Sequence, residues 1–364
     1  MLYDRAFKAP DHVPELLRKI EAYTEMTGPV TFMEVCGTHT MAIARNGIKS
    51  ILPDRVTLLS GPGCPVCVTP AGYMDMILSL SQRPGVRVAS YGDLLRVPGS
   101  IRGDTLLARK ARGALVDMVY SPIDALDLAE AHPDQEVVFL GVGFETTAPG
   151  TAACVLEAAS RDLDNFSVLS LLKKTEPVLR ALIGAPDFAV DGFLCPGHVA
   201  AVTGSRAFAF LPEEFHLPGV VAGFEAADLL YAILELTRMV ASKTPGLYNE
   251  YTRLVRPEGN LTALRLMDQV FTDCESDWRG LGLIKHSGYA LREKYARWDA
   301  FKKFGLKPEE NREIPGCRCG QVIRGSLSPG DCPLFGTACS PQDPVGPCMV
   351  SGEGACAAAF QYGK

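Results

Sequence analysis

Between residues 30 and 222 the chain repeats one pattern: a short apolar run rich in β-branched residues, a turn carrying Gly, Cys or an acid, then a stretch of helical periodicity. Strands of this kind are buried on both faces, which requires a parallel sheet covered by helices, so the pattern restricts the chain to α/β architecture. Strands are expected at Val30–Val35, Val56–Ser60, Val86–Ser90, Met118–Tyr120, Val137–Gly141, Ser167–Leu171, Gly192–Leu194 and Gly219–Ala222. Helices are expected at Asp11–Met26, Ala71–Ser81, Thr105–Arg112, Ile123–Ala131, Ala148–Arg161 and Ala200–Phe208. The Ser-Pro turn near Tyr120 reads as a break between two sheets, giving one α/β domain over residues 28–120 and a second over 121–240. After Glu225 the strand signal fades. Ala226–Ser242, Leu247–Val255, Leu261–Phe271 and Leu291–Phe301 read as helices, so residues 1–27 and 241–364 form a third, mostly helical domain that ends in a Cys-rich tail.

Charge narrows the function classes. The 364 residues carry 36 Lys and Arg against 42 Asp and Glu, a net charge of −6, which gives no general attraction to nucleic acid or anionic lipid. No apolar run reaches the ~20 residues of a membrane-spanning helix. The charged N-terminal stretch lacks the apolar core of a signal peptide, so a cytoplasmic protein is expected. In that reducing compartment cysteines serve metals or redox chemistry more often than they staple a fold. Six of the 12 lie at or beyond position 317.

Four constellations carry chemistry. Cys36 and His39, in Glu34-Val35-Cys36-Gly37-Thr38-His39-Thr40, stand where a strand runs into a helix, the edge at which α/β sheets collect ligands. A helix starting at Gly37 would favour a Cys36 thiolate, with Thr38 or Thr40 as its cap. Cys64 and Cys67 form a CxxC on a Gly/Pro-rich turn after the second strand, and no other CxxC exists to complete a zinc ribbon, so redox exchange is the better reading. Glu145, His198 and Asp93 lie at further strand exits, as acid, base or ligand groups or as simple turn and cap residues. Gly141 and Gly143 do not complete a dinucleotide-binding GxGxxG. In the tail, Cys317-x14-Cys332-x6-Cys339-x16-Cys356 supplies the four thiolates of a 4Fe–4S cluster, leaving Cys319 and Cys348 as a dithiol; zinc on four of the six is the alternative. Cys154 and Cys274 lie in helical patterns and read as packing residues.

Taken in order, CGTHTMAIARNGI, GPGCPVCVT, YGDLLRVPGS, GVGFETTAP, PGHV, GFE and the tail GCRCG, DCPLFGTAC and PVGPCMVSGEGAC resemble the HypD family of hydrogenase maturation factors over essentially the whole chain. The resemblance implies a scaffold and redox factor for assembling the Fe(CN)2CO group of nickel–iron hydrogenase, a maturation factor more than a conventional turnover enzyme. Its partners would be a small HypC-type chaperone and a HypE-type cyanide-delivering protein. It implies that Cys36 binds the iron with His39 beside it, and that Cys64 and Cys67 are a redox dithiol near that site. It also implies a 4Fe–4S cluster on Cys317, Cys332, Cys339 and Cys356, with Cys319 and Cys348 as the relay pair. A free-standing iron–sulfur-driven thiol–disulfide oxidoreductase is the alternative; it would need only the CxxC and the tail.

Overall fold

A strand covered on both faces must be apolar along its whole length, and Glu136–Gly143 (EVVFLGVG) meets that condition at every position from Val137 to Gly143. The computed structural model describes residues 12–363 and places this strand, β5, inside a parallel sheet. The remaining strands of the described residues are β1 (Val30–Glu34), β2 (Val56–Ser60), β3 (Val86–Ser90), β4 (Leu115–Met118), β6 (Phe166–Leu172), β7 (Gly192–Pro196), β8 (Gly219–Ala222), β9 (Leu247–Asn249), β10 (Phe271–Trp278) and β11 (Gly282–Leu291).

Two parallel sheets result. The first has the order β2-β1-β7-β8-β9 and the second β4-β3-β5-β6, while β10 and β11 pair as an antiparallel ribbon. Helices on both faces bury Phe32, Leu194 and Ile233 in the first unit and Phe139, Phe166 and Val155 in the second. The α/β class with a Cys-rich C-terminal region is therefore present. The sheets, however, do not divide the chain near residue 120. The first draws strands from both sides of the second, because β7 and β8 return to pair beside β1. Helix Val13–Thr27 likewise packs on helix Ala226–Ser242 of the first unit. The expected helix start at Asp11 lies outside the described residues.

Three local expectations change. The fourth strand ends at Met118; Tyr120 is exposed, and Ser121 opens a capping box with Asp124 that begins helix Pro122–Ala131. Leu247–Asn249, expected as helix, extends the first sheet through Gly219↔Leu247. Leu291–Phe301, also expected as helix, splits into the end of β11, a 3-10 turn at Glu293–Trp298 and a short helix at Ala300–Phe304. The β10–β11 ribbon was missed because its outer face is polar and its period-2 alternation is broken by an irregular register between Cys274 and Ser276.

Topology then decides where ligands can gather. In each sheet the strand order reverses once, between β1 and β7 in the first and between β3 and β5 in the second, and in open α/β sheets the C-terminal ends of such strands are where ligands gather. Cys36 and His198 follow β1 and β7; Asp93 and Glu145 follow β3 and β5. These four strand-exit motifs thus sit at reversal points, whereas the CxxC follows the edge strand β2. Phe139 is fully buried at the centre of the second sheet. Phe139→Ala is expected to cost roughly 3–5 kcal/mol, read as a lowered denaturation midpoint.

Candidate functional site

Gly63 is the contact on which the site is built. A Cβ there would lie 2.3 Å from the Cys36 nitrogen, so only glycine lets the CxxC turn lie against the β1 exit. Gly37 N–H donates to the Gly63 carbonyl at 3.1 Å, and Gly61 N–H donates to the Glu34 carbonyl at 2.7 Å. The backbone just before Cys64 is thereby bonded to the backbone around Cys36. Cys64 and Cys67 are joined by a disulfide across the one-turn helix Pro65–Val68, and both are buried.

The helix after Cys36 begins at Gly37, as expected. Thr38 and Thr40 do not cap it: Thr38 Oγ1 donates to Glu353 Oε1 at 2.6 Å, and Thr40 donates to Glu34. Nor does the helix N-terminus leave Cys36 a thiolate. Burial pushes its thiol up to about 12, and the carboxylates of Glu34 and Glu353 act in the same direction, outweighing the amides of His39 and Thr38. Glu34 is itself buried beneath Cys36, accepts from the Cys36 N–H at 3.1 Å, and is raised to about 7 by desolvation.

His39 is fully buried. Its Nε2 faces two carbonyls, Ala222 at 3.2 Å and Gly223 at 3.0 Å, which only accept, so the proton resides on Nε2. Nδ1 is a buried acceptor with no hydrogen-bond partner, and burial lowers the ring to about 4, keeping it neutral at pH 7. Phe224 of the GFE segment lies between His39, at 4.8 Å, and His198, stacked at 3.8 Å. His198 is exposed at its edge of the site; desolvation lowers its ring and the charge of Glu353 opposes that shift. The structure therefore gathers Cys36, His39, His198 and the CxxC turn.

Asp93 and Glu145 are employed otherwise. Asp93 accepts from Ser351 Oγ at 2.8 Å and so anchors the tail. Glu145 receives both the N–H and the hydroxyl of Thr175 at 2.7 Å, tying the β5 exit to helix Thr175–Ile183.

The tail closes over these groups. Cys317, Cys319, Cys332, Cys339 and Cys356 line one small cavity with Val322, Leu334, Phe335, Val345 and Met349. Four of these five are the expected cluster ligands. Soft sulfur donors within apolar walls fit an iron–sulfur cluster, which occupies a volume and not a point. Among the described residues no group of three or more His, Cys, Asp or Glu is arranged for a single metal ion. Cys319 contacts both Cys317 and Cys348, and Cys348 also contacts Cys356; hydrogen bonds with Cys317 and Cys348 drive the Cys319 thiol well down, and those with Cys319 and Cys356 lift Cys348 well up. Cys348 lies in the helix Pro347–Val350, whose Pro347 carbonyl is 3.9 Å from Cys67 Sγ. Cys154 is buried against the Pro122 carbonyl, in keeping with a packing role, whereas Cys274 lies in β10 and not in a helix.

Sequence reasoning passed over Glu34, Glu353, Phe224 and Arg279. Glu34 carried a signal as a lone acid ending an apolar strand, Phe224 and Glu353 lay inside motifs quoted for the family resemblance, and Arg279 carried none.

The fold and site define an α/β protein with a buried Cys/His site at one sheet reversal, an adjoining disulfide and a thiol-lined tail cavity. The family model HypD, described as "Hydrogenase formation hypA family", matches residues 11–363. The chain is 44% identical to the hydrogenase maturation factor HypD of Azotobacter vinelandii, covering 100% of this chain and 97% of the relative. It is also 43% identical to hydrogenase maturation factor HypD2 of Bradyrhizobium diazoefficiens, over 100% and 97% of the two chains. To hydrogenase maturation factor HypD of Escherichia coli it is 44% identical over 98% and 96%. The chain belongs to the HypD family.

The Gly63 contact is testable. Gly63→Ala should force the CxxC turn away from Cys36, destabilising the protein by about 1–3 kcal/mol and speeding alkylation of Cys36. Unchanged stability and labelling would mean that the two segments are not bound to one another.

Proposed function

We propose that this chain is a hydrogenase maturation factor: a cytoplasmic scaffold and redox factor for assembly of the Fe(CN)2CO group of nickel–iron hydrogenase. The observation that carries this reading is the seating of one short tail segment. Pro347 meets Cys67, Ser351 meets Asp93, and Glu353 meets Thr38, so the Cys-rich tail, the CxxC pair and the Cys36 site are joined in that order.

In this reading the iron fragment is cargo, and Cys36 is its ligand from this chain. The buried thiol is protonated without metal, and a coordinated thiol is deprotonated outright, so iron binding releases its proton. Neutral His39, fixed by the carbonyls of Ala222 and Gly223, keeps a free acceptor nitrogen within the site. A small HypC-type chaperone would supply a second thiolate, and a HypE-type partner the cyanide.

Cys317, Cys332, Cys339 and Cys356 would hold a 4Fe–4S cluster, which supplies electrons singly when bound. Cys319 and Cys348 lie beside these ligands as the dithiol. A thiolate of that pair attacks the Cys64–Cys67 disulfide; the tail pair becomes the disulfide and the CxxC the dithiol, so two electrons and two protons pass between them. Cys67 faces the tail and Cys64 adjoins Cys36, so attack at Cys67 frees Cys67 on the tail side only after Cys64 has left as thiolate on the iron side. A free-standing thiol–disulfide oxidoreductase would have no task for a buried Cys36 and His39.

Two measurements test this. In the anaerobically co-purified complex, Cys36→Ala should remove the CO and cyanide infrared bands; their survival would refute the iron assignment. Cys64→Ala should abolish maturation while leaving the cluster absorbance near 400 nm, whereas Cys332→Ala should remove that absorbance.

A further inference from the structure

The tip of the β10–β11 ribbon is buried against the CxxC turn, and neither the relay nor the iron site accounts for it. Arg279 is only 2% exposed. Its Nε–H donates to the carbonyls of Cys67 at 3.1 Å and Thr69 at 3.2 Å, and Nη2 donates to Thr69 at 2.8 Å. Its backbone N–H donates to the Val68 carbonyl at 2.9 Å. These three consecutive carbonyls lie at the end of helix Pro65–Val68, where helix carbonyls lack partners within the helix, and a single residue satisfies all three.

The same tip holds the tail. Nη1 donates to Glu313 Oε2 at 2.6 Å, just before the first tail cysteine. Gly280, at φ +77°, packs so closely that a Cβ would fall 2.5 Å from the Cα of Gly320, the neighbour of Cys319. A guanidinium is costly to bury without a full set of acceptors, and here it has them from both sulfur-bearing segments at once.

We propose that Arg279 is a positioning residue for the thiol–disulfide step: it sets the reach between the tail dithiol and the Cys64–Cys67 pair and biases that pair toward the reduced state. The inference rests on the relay reading above. Reduction breaks the Cys64–Cys67 bond with two electrons from the Cys319/Cys348 dithiol, which closes its own disulfide; the two protons of that dithiol pass to the CxxC pair, whose thiols can then ionise where a neutral disulfide stood. A fixed cation bonded to the Cys67 carbonyl favours that developing negative charge, and Glu313 partly offsets it. Because Glu313 is 39% exposed, its removal need not disturb packing.

The experiment is a redox titration of the full chain in glutathione buffers, with the state of Cys64 and Cys67 read by alkylation and mass spectrometry. Arg279→Gln should shift the equilibrium toward the disulfide about tenfold, equivalent to about 30 mV for a two-electron couple. Glu313→Gln should shift it the opposite way. Arg279→Lys should restore the equilibrium but not the rate of exchange with the tail, because the forked geometry is lost. Opposite shifts cannot come from misfolding, and if Arg279→Gln fails to fold, Glu313→Gln decides. Shifts in one direction, or none, overturn the proposal. The relay reading fails separately if Cys319→Ser leaves the reduction rate of Cys64–Cys67 unchanged in the parent chain.

Discussion

The tail has too little apolar periodicity to order itself, and the sulfur chemistry depends on where it is tied down. Three side-chain bonds do much of this: Thr38 to Glu353 at the reversal point of the first sheet, Ser351 to Asp93 at that of the second, and Arg279 to Glu313 at the ribbon tip. Two more come from Arg96 to the Pro341 carbonyl and Arg102 to the Ala338 carbonyl. Each is modest alone, on the order of 1 kcal/mol for a neutral pair and more where a charge takes part. Together they fix a Gly- and Pro-rich segment across both reversal points.

Burial governs the chemistry within that frame. Desolvation keeps Cys36 a thiol and His39 uncharged and raises Glu34 to about 7, so the pocket around Cys36 holds few formal charges despite its polar residues. The neighbouring acids Asp228 and Glu250 support it from behind. Asp228 is fully buried against Arg253 and accepts from the Glu225 N–H, while Glu250 accepts from Gly223 N–H, holding the loop whose carbonyls orient His39.

Much of the site was legible before the fold. Cys36, His39, Cys64, Cys67 and His198 were marked by residue type at strand exits, and the structure assembles them around Gly63 and Phe224. Asp93 and Glu145 were marked by the same rule, yet one anchors the tail and the other joins β5 to its neighbouring helix. A strand exit shows that a polar group will meet something, not what it will meet. Arg279 and Glu353 were invisible because their partners lie 212 and 315 residues away in the chain.

The amino-acid order alone determined the alternating α/β pattern, the positions of most strands and the sorting of the cysteines into four solitary thiols, a CxxC and a tail set of six, since these depend on local period and spacing. Tertiary structure decided that β7 returns beside β1, that the ribbon tip enters the gap between CxxC and tail, and that Cys36 lies in a desolvated pocket. Strand order and desolvation are properties of packing between distant segments, and no local window of sequence contains them.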